Sequence, residues 1–197
     1  GCEGCHGGSE KWLQSHTEPD ATHQNNLKRG MYPTENPVAR AQLCLSCHLG
    51  TSKKFAGHAI MGAGHPRLTF ELETFTANQP AHYERDADYT RRKGSIPGVK
   101  QWAVGLSVTS ASLVDLMQKK LLSAGGIFPE PAFFECHACH HSMSQMQWHV
   151  LPLEKGVKPG DIRLNDSALE LLVVVLEVKG DGQAKPLKKR RQRTALG

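Results

Sequence analysis

The six cysteines of the chain fall into three pairs with one spacing, and a histidine follows each pair directly. The three motifs are CEGCH at residues 2–6, CLSCH at residues 44–48 and CHACH at residues 136–140. At the cysteine and histidine frequencies of this chain, one such motif is expected by chance only about 0.01 times. Thiols and imidazoles are groups that bind metals and metal-containing cofactors. The repetition therefore predicts three sites of one kind, which together use every cysteine.

The CxxCH spacing is typical of covalent haem attachment. Two thiols on one turn of chain add to the vinyl groups of the porphyrin, and the histidine that follows coordinates the iron. We therefore predict three haem c groups. The predicted attachment residues are Cys2, Cys5, Cys44, Cys47, Cys136 and Cys139, and the predicted proximal iron ligands are His6, His48 and His140.

Two other chemistries use the same residues. A zinc site could combine the first two CxxC pairs, but it would leave the third pair without a partner and would not explain the histidine after each pair. Disulfides within the CxxC pairs would indicate a redox enzyme on a thioredoxin-like unit, and no such strand and helix pattern surrounds the motifs. Haem attachment explains more of the pattern than either alternative.

Eight histidines remain as candidates for the second axial position, so we expect mostly bis-histidine, low-spin iron of low potential. A methionine ligand would raise the potential, but methionine is more often a packing residue. His16 is our first choice, on a short helix expected to begin near Ser9. We rank His82 and His149 lower. The further predicted ligands are His58 and His65, in a glycine-rich segment that a flat porphyrin could approach closely, and His141, next to a proximal ligand.

The elements that position these residues are expected to be helices. A chain of 197 residues is long enough for one domain, and we place a trihaem domain at 1–149 and a linker, short helix and basic flexible tail at 150–197. Apolar periodicity predicts one long helix from Val99 to Leu121 and another over residues 69–76. Residues 168–178 favour a third helix, with a strand as the alternative. The predicted fold is mainly α with much irregular loop, compact around covalent haems and without an extended sheet.

The charge and hydropathy patterns exclude two classes of partner. The longest apolar stretch near the C-terminus, residues 171–176, is far shorter than the roughly 20 residues of a membrane span. The basic tail and the net charge of +5 suggest nucleic-acid binding at first. Three ferric haems with ionised propionates would reduce that charge to about +2, so we expect a solvated tail or a contact with an acidic redox partner.

Several segments resemble those of a known family. The runs CEGCHGGSEKW, CLSCHLG with HAIMGAGHPRLTFELETF, PAHYERDADY and FPEPAFFECHACHHSM are similar to the multihaem c-type cytochromes related to the tetrahaem carrier of ammonia oxidisers. The resemblance covers about residues 1–148. It implies that His16 could serve a haem bound elsewhere, and that an upstream motif of the tetrahaem relatives is lacking. It also implies export to the periplasm or the cell exterior. Because Gly1 directly precedes a predicted attachment cysteine, we expect a chain that is processed or continues upstream.

Three functions are compatible with these features. The first is electron transfer between redox partner proteins, with no catalytic residue. The second is an oxidoreductase in which one haem keeps an open position for a small nitrogen or sulfur compound, with Arg67, Arg91, Arg92 and His82 around it. The third is a subunit of an extracellular cytochrome filament or of a larger redox complex. We expect the first, and so do not expect an enzyme.

Overall fold

A computed structural model describes residues 1–66, 69–122, 129–140 and 163–189. These residues are mainly helical. Their only β pairings are two isolated bridges, between Thr51 and Lys54 and between Phe134 and Leu164. The prediction of a mainly helical chain without an extended sheet is therefore confirmed for the described residues. None of the helices described is long and apolar enough to cross a membrane.

Besides the helical residues 184–189, the described residues contain eight α-helices and three short 3₁₀ helices. The α-helices are α1 (Glu3–His6), α2 (His23–Lys28), α3 (Pro37–His48), α4 (His58–Gly62), α5 (Leu72–Ala77), α6 (Ala87–Lys93), α7 (Gly98–Lys120) and α8 (Ser167–Val178). The 3₁₀ helices are Ser15–Thr17, Pro131–Phe133 and Cys136–Ala138.

The periodic segments form helices where the sequence predicts them. α7 follows Pro97 and covers nearly the whole predicted span. α5 begins three residues later than predicted, because the Glu71 carboxylate accepts hydrogen bonds from the N–H groups of Glu73 (2.8 Å) and Thr74 (2.7 Å). α8 is a helix and not the alternative strand.

The described residues divide into two compact units. Unit 1 comprises residues 1–48 and 70–108, and unit 2 comprises residues 49–69 and 109–197. The predicted boundary between residues 149 and 150 lies outside the described residues and stays a prediction. The flexible tail predicted at the end of the segment 150–197 differs in part: residues 184–189 are helical and Ala184 is buried.

The core of unit 1 is small and formed mainly by helices. Its buried apolar residues are Trp12, Ala41, Leu45, Leu72 and Leu106. A Cβ added at Gly105 in α7 would lie 2.6 Å from the Leu72 Cβ, so glycine permits the close approach of α5 and α7. The buried Gln101 donates a hydrogen bond to Glu73 and accepts one from Arg40.

Unit 2 has its core around Phe133, which is 1% exposed. The Phe133 ring stacks on Phe55, with 4.9 Å between centroids and 10° between planes. Backbone bonds from Glu135 N to Arg163 O and from Asn165 N to Phe133 O, both 2.8 Å, connect this segment to the residues before α8. The residues directly before the third CxxCH motif are thus anchored to the segment that precedes α8.

Candidate haem sites

The first CxxCH motif forms a single helical turn, as haem attachment requires. The His6 amide donates to Cys2 O at 2.9 Å, which places both thiols and the imidazole on α1. Gly7 then leaves the helix with φ of 78°, and a Cβ there would lie 3.2 Å from Gly30 O. Glycine after the motif therefore lets the chain turn away directly behind His6.

A second imidazole lies against His6. The ring centroids of His6 and His82 are 6.0 Å apart and their planes differ by 77°. A metal–imidazole bond is about 2 Å long, so two rings that share one metal have their centroids about 6 Å apart. Burial lowers the pKa of His6, and His82 and Lys93 act in the same direction, which favours the neutral form that binds metals.

A cavity of about 300 Å³ adjoins this ring pair in unit 1. His6, His82 and Cys5 line it, as does Cys44 of the second motif. Its volume falls in the ordinary range for small-molecule sites, and its lining combines apolar side chains with a few charged ones. The Nε atom of Arg40, another lining residue, is buried without a hydrogen-bond partner among the described residues. A flat apolar group with carboxylates, as haem is, fits both features.

The second motif lies at the end of α3, whose last residue is His48. Burial raises the pKa of the Cys44 thiol, and the neighbouring Cys5 thiol acts in the same direction. The His48 ring packs against Phe75 at 4.8 Å and Phe70 at 5.6 Å between centroids. In the part of the chain that the structure describes, the rings beside His48 are thus phenyl rings and not a second imidazole.

The third motif also places its histidine beside another one. Its 3₁₀ turn is closed by a 2.7 Å bond from His140 N to Cys136 O. The ring centroids of His58 and His140 are 6.0 Å apart, with 31° between their planes. This is the same centroid distance as in the His6 and His82 pair, and it occurs in the other unit.

Glu130 determines where the helix of His58 begins. Its carboxylate accepts hydrogen bonds from His58 N at 2.7 Å and Ala132 N at 3.1 Å. A Cβ at Gly57 would lie 3.0 Å from Glu130 Oε2, so glycine leaves room for this contact. The stacked Phe55 and Phe133 rings hold the same two segments together.

The other predicted ligands lie elsewhere. His16 is exposed; its Nδ1 is 2.5 Å from Leu13 O and its ring meets the Trp12 ring at 5.7 Å. The chain forms a turn at Ser9 and then a 3₁₀ helix, Ser15–Thr17, that contains His16, in place of the expected helix. His65 is also exposed, with Nδ1 2.7 Å from Pro66 O. Neither ring lies against a CxxCH histidine among the described residues, and His141 falls outside them.

The arginines suggested for a substrate pocket are placed on the surface. Arg91 and Arg92 extend from α6 with side chains 74% and 60% exposed, and both pair with Asp88. Arg67 lies outside the described residues. His82, the fourth member of that set, contacts the His6 ring instead.

None of the three CxxC pairs is closed as a disulfide. Within the described ranges, no three side chains of His, Cys, Asp or Glu converge as a metal cluster. The groupings that bring potential iron ligands together are therefore the two imidazole pairs.

No protein family model, no curated protein and no solved structure matches the chain. The resemblance to multihaem cytochromes therefore stays a prediction.

Proposed function

We propose that the chain is a multihaem c-type cytochrome that carries electrons through three covalently attached haems. One observation carries the proposal. Two of the three CxxCH histidines lie 6.0 Å, between ring centroids, from a second histidine that is distant in the sequence. Each of these two histidine pairs brings a CxxCH motif next to another segment of the chain. Helix packing alone does not require such pairs.

The chain would supply both axial ligands at these two sites. When bound, each haem iron accepts and releases one electron. His6 and His82 would hold one iron, and His140 and His58 another, while the cysteine thiols fix each porphyrin covalently. Two imidazoles keep an iron six-coordinate, so they exclude small molecules from it and favour a lower potential than a methionine ligand would.

The first two motifs are close enough in unit 1 to support electron passage between their haems. Cys5 and Cys44 line the same cavity. Phe75 lines that cavity too, and its ring lies 4.8 Å from the His48 ring. Residues of both motifs thus line one cavity.

The proposed role also implies a setting. Covalent haem attachment is expected outside the cytoplasm, so we propose a periplasmic or extracellular location with redox proteins as partners. Self-association into a larger multihaem assembly is compatible with the same chemistry, and nucleic acid is not among the proposed partners. No described helix could span a membrane.

A spectroelectrochemical titration of the haem-loaded protein tests electron transfer. We expect uptake of three electrons per chain and rapid, complete re-oxidation by a protein acceptor, without turnover of hydroxylamine, nitrite or sulfite. Cys139→Ala provides the matched control, since it should lower the uptake to two electrons if the third haem is lost. A protein that is not re-oxidised by protein acceptors but consumes one of these compounds would contradict the carrier role.

A second candidate function is an oxidoreductase with an open haem at His48. The observation that favours it is the phenyl environment of the His48 ring, since Phe70 and Phe75 cannot ligate iron. Carbon monoxide binding to the reduced protein distinguishes the two. Binding to one haem in three favours the oxidoreductase, and no binding favours the carrier.

A further inference from the structure

Three charged side chains line the unit 1 cavity, whereas much of the remaining lining is apolar. Arg40 on α3 and Lys93 at the end of α6 contribute cations, and Glu35 contributes an anion. His23 lies between Lys93 and Glu35. With His23 neutral, these side chains sum to one positive charge.

The contacts of His23 with Lys93 and Glu35 hold the Lys93 ammonium in place. Its Nζ donates to His23 Nδ1 at 2.9 Å, and His23 Nε2 lies 2.9 Å from Glu35 Oε1. A lysine has three N–H donors, and His23 uses one of them. Burial lowers the pKa of Lys93 and the Glu35 carboxylate opposes that effect, so a further anion in the cavity would favour the charged ammonium.

A side-chain hydrogen bond also fixes Arg40, whose Nε remains a free donor in the described part of the chain. One terminal nitrogen donates to Gln101, which Glu73 holds in turn. The Arg40 Nε atom is buried and has no hydrogen-bond partner among the described residues. A buried donor without an acceptor costs about 1–3 kcal/mol, so this position favours a ligand that brings an acceptor.

We propose that Arg40 and Lys93 form a carboxylate-binding wall that holds the propionates of the haem attached at Cys2 and Cys5. This inference rests on the proposed function. A ferric haem with two ionised propionates carries a net charge of about −1, which the net charge of +1 from Arg40, Lys93 and Glu35 together balances. Arginine and lysine donate the charge-assisted hydrogen bonds that carboxylates accept most strongly. His23 and Gln101 are positioning residues for the two cations.

Variants of the haem-loaded protein test the wall through the potential of one haem. Removing a cation disfavours the reduced haem, which carries one more negative charge than the oxidised form. We therefore expect Lys93→Gln and Arg40→Gln each to lower the potential of the His6 haem more than that of the other two. Arg92→Gln is the matched control, because Arg92 is on the same helix as Lys93 and 60% exposed, and it should shift no potential. A His82→Met variant identifies the His6 haem by its raised potential.

The outcomes separate this inference from the proposed function. Three reducible haems whose potentials are the same in wild type, Lys93→Gln and Arg40→Gln would overturn the wall and leave the electron-transfer proposal intact. If the glutamine variants yield no haem-loaded protein, Lys93→Arg and Arg40→Lys decide. These variants keep the positive charge but change the hydrogen-bond donors, so they should shift the potential of the His6 haem alone. Three unchanged potentials would overturn the proposal. A wild-type protein without haem would contradict the proposed function itself.

Discussion

The imidazole rings of His6 and His82 lie 6.0 Å apart between centroids, with 77° between their planes. His82 is held by its neighbours: its ring meets Tyr83 edge-on at 5.1 Å, and Tyr83 stacks on Tyr89 at 5.2 Å. Aromatic pairs at such distances contribute about 0.5–1.5 kcal/mol each beyond the area they bury. This local packing places a histidine from the loop before α6 against the first CxxCH motif.

The His6 and His82 pair gives the first prediction. In the haem-loaded protein, His82→Ala should convert the His6 haem from low spin to high spin, because its iron loses the second imidazole. His16→Ala is the control, since the His16 ring contacts Trp12 and no motif histidine among the described residues. Electron paramagnetic resonance of the ferric protein measures the spin state of the haems in both variants. A new high-spin signal in His16→Ala and none in His82→Ala would reverse the assignment.

Glu130 gives the second prediction, because its carboxylate accepts the amide of His58. Glu130→Ala should lower the free energy of unfolding by about 1–3 kcal/mol, the cost of unpaired amides, and increase the high-spin fraction at the His140 haem. Glu130→Gln keeps an acceptor oxygen, so it should show smaller changes in the free energy of unfolding and in the high-spin fraction.

The surface residue Glu177 serves as the control for Glu130. It is exposed and pairs with Lys188 at 2.8 Å, so Glu177→Ala should cost less than about 1 kcal/mol and leave the spin state unchanged. Equal effects of Glu130→Ala and Glu177→Ala would show that Glu130 does not position His58.

Gly105 gives the third prediction, which concerns packing in unit 1. Alanine in a helix ordinarily stabilises it by roughly 0.5–1 kcal/mol over glycine. At Gly105 the added Cβ would lie 2.6 Å from the Leu72 Cβ, so Gly105→Ala should instead destabilise by about 1–3 kcal/mol. Gly182→Ala, where a Cβ meets open space, is the control. A denaturant midpoint that rises in Gly105→Ala would contradict the close contact.

The fourth prediction concerns the pH dependence of stability. Burial alone would raise the pKa of Glu35, but the contacts with His23 and the charge of Lys93 lower it overall, below the ordinary value of 4.5. A lowered folded-state pKa stabilises the fold above the unfolded value, and this stability is lost as the pH falls through the folded value. Glu35→Gln should therefore weaken the loss of stability below pH 4.5. Denaturant midpoints measured against pH should differ between wild type and Glu35→Gln, with the exposed Glu10→Gln as control. Identical acid profiles for wild type and Glu35→Gln would contradict the prediction.

Local patterns in the sequence predict much of this structure. The apolar period of residues 98–120 identifies α7, because one helix face must meet a core whatever its partner is. The CxxCH spacing likewise places two thiols and an imidazole on one turn, as the bond from His6 N to Cys2 O illustrates.

Which histidine pairs with which motif depends on contacts that local patterns do not encode. His82 ranks low by sequence because its partner, His6, lies in a distant segment, and only the packing of unit 1 brings the rings together. His16 ranks high from its spacing, yet the turn at Ser9 directs its ring to Trp12. Two tyrosines, Tyr83 and Tyr89, follow His82 in the sequence. They are the one local signal that this histidine has a fixed position.

Intact-mass analysis of the exported protein after denaturation tests the central claim most directly. Thioether bonds survive denaturation, so we predict the mass of the chain plus three haems, with a Soret band in the same sample and one haem fewer in each of Cys5→Ala, Cys44→Ala and Cys136→Ala. A colourless protein with the mass of the bare chain, after expression together with a haem-attachment system, would contradict the account.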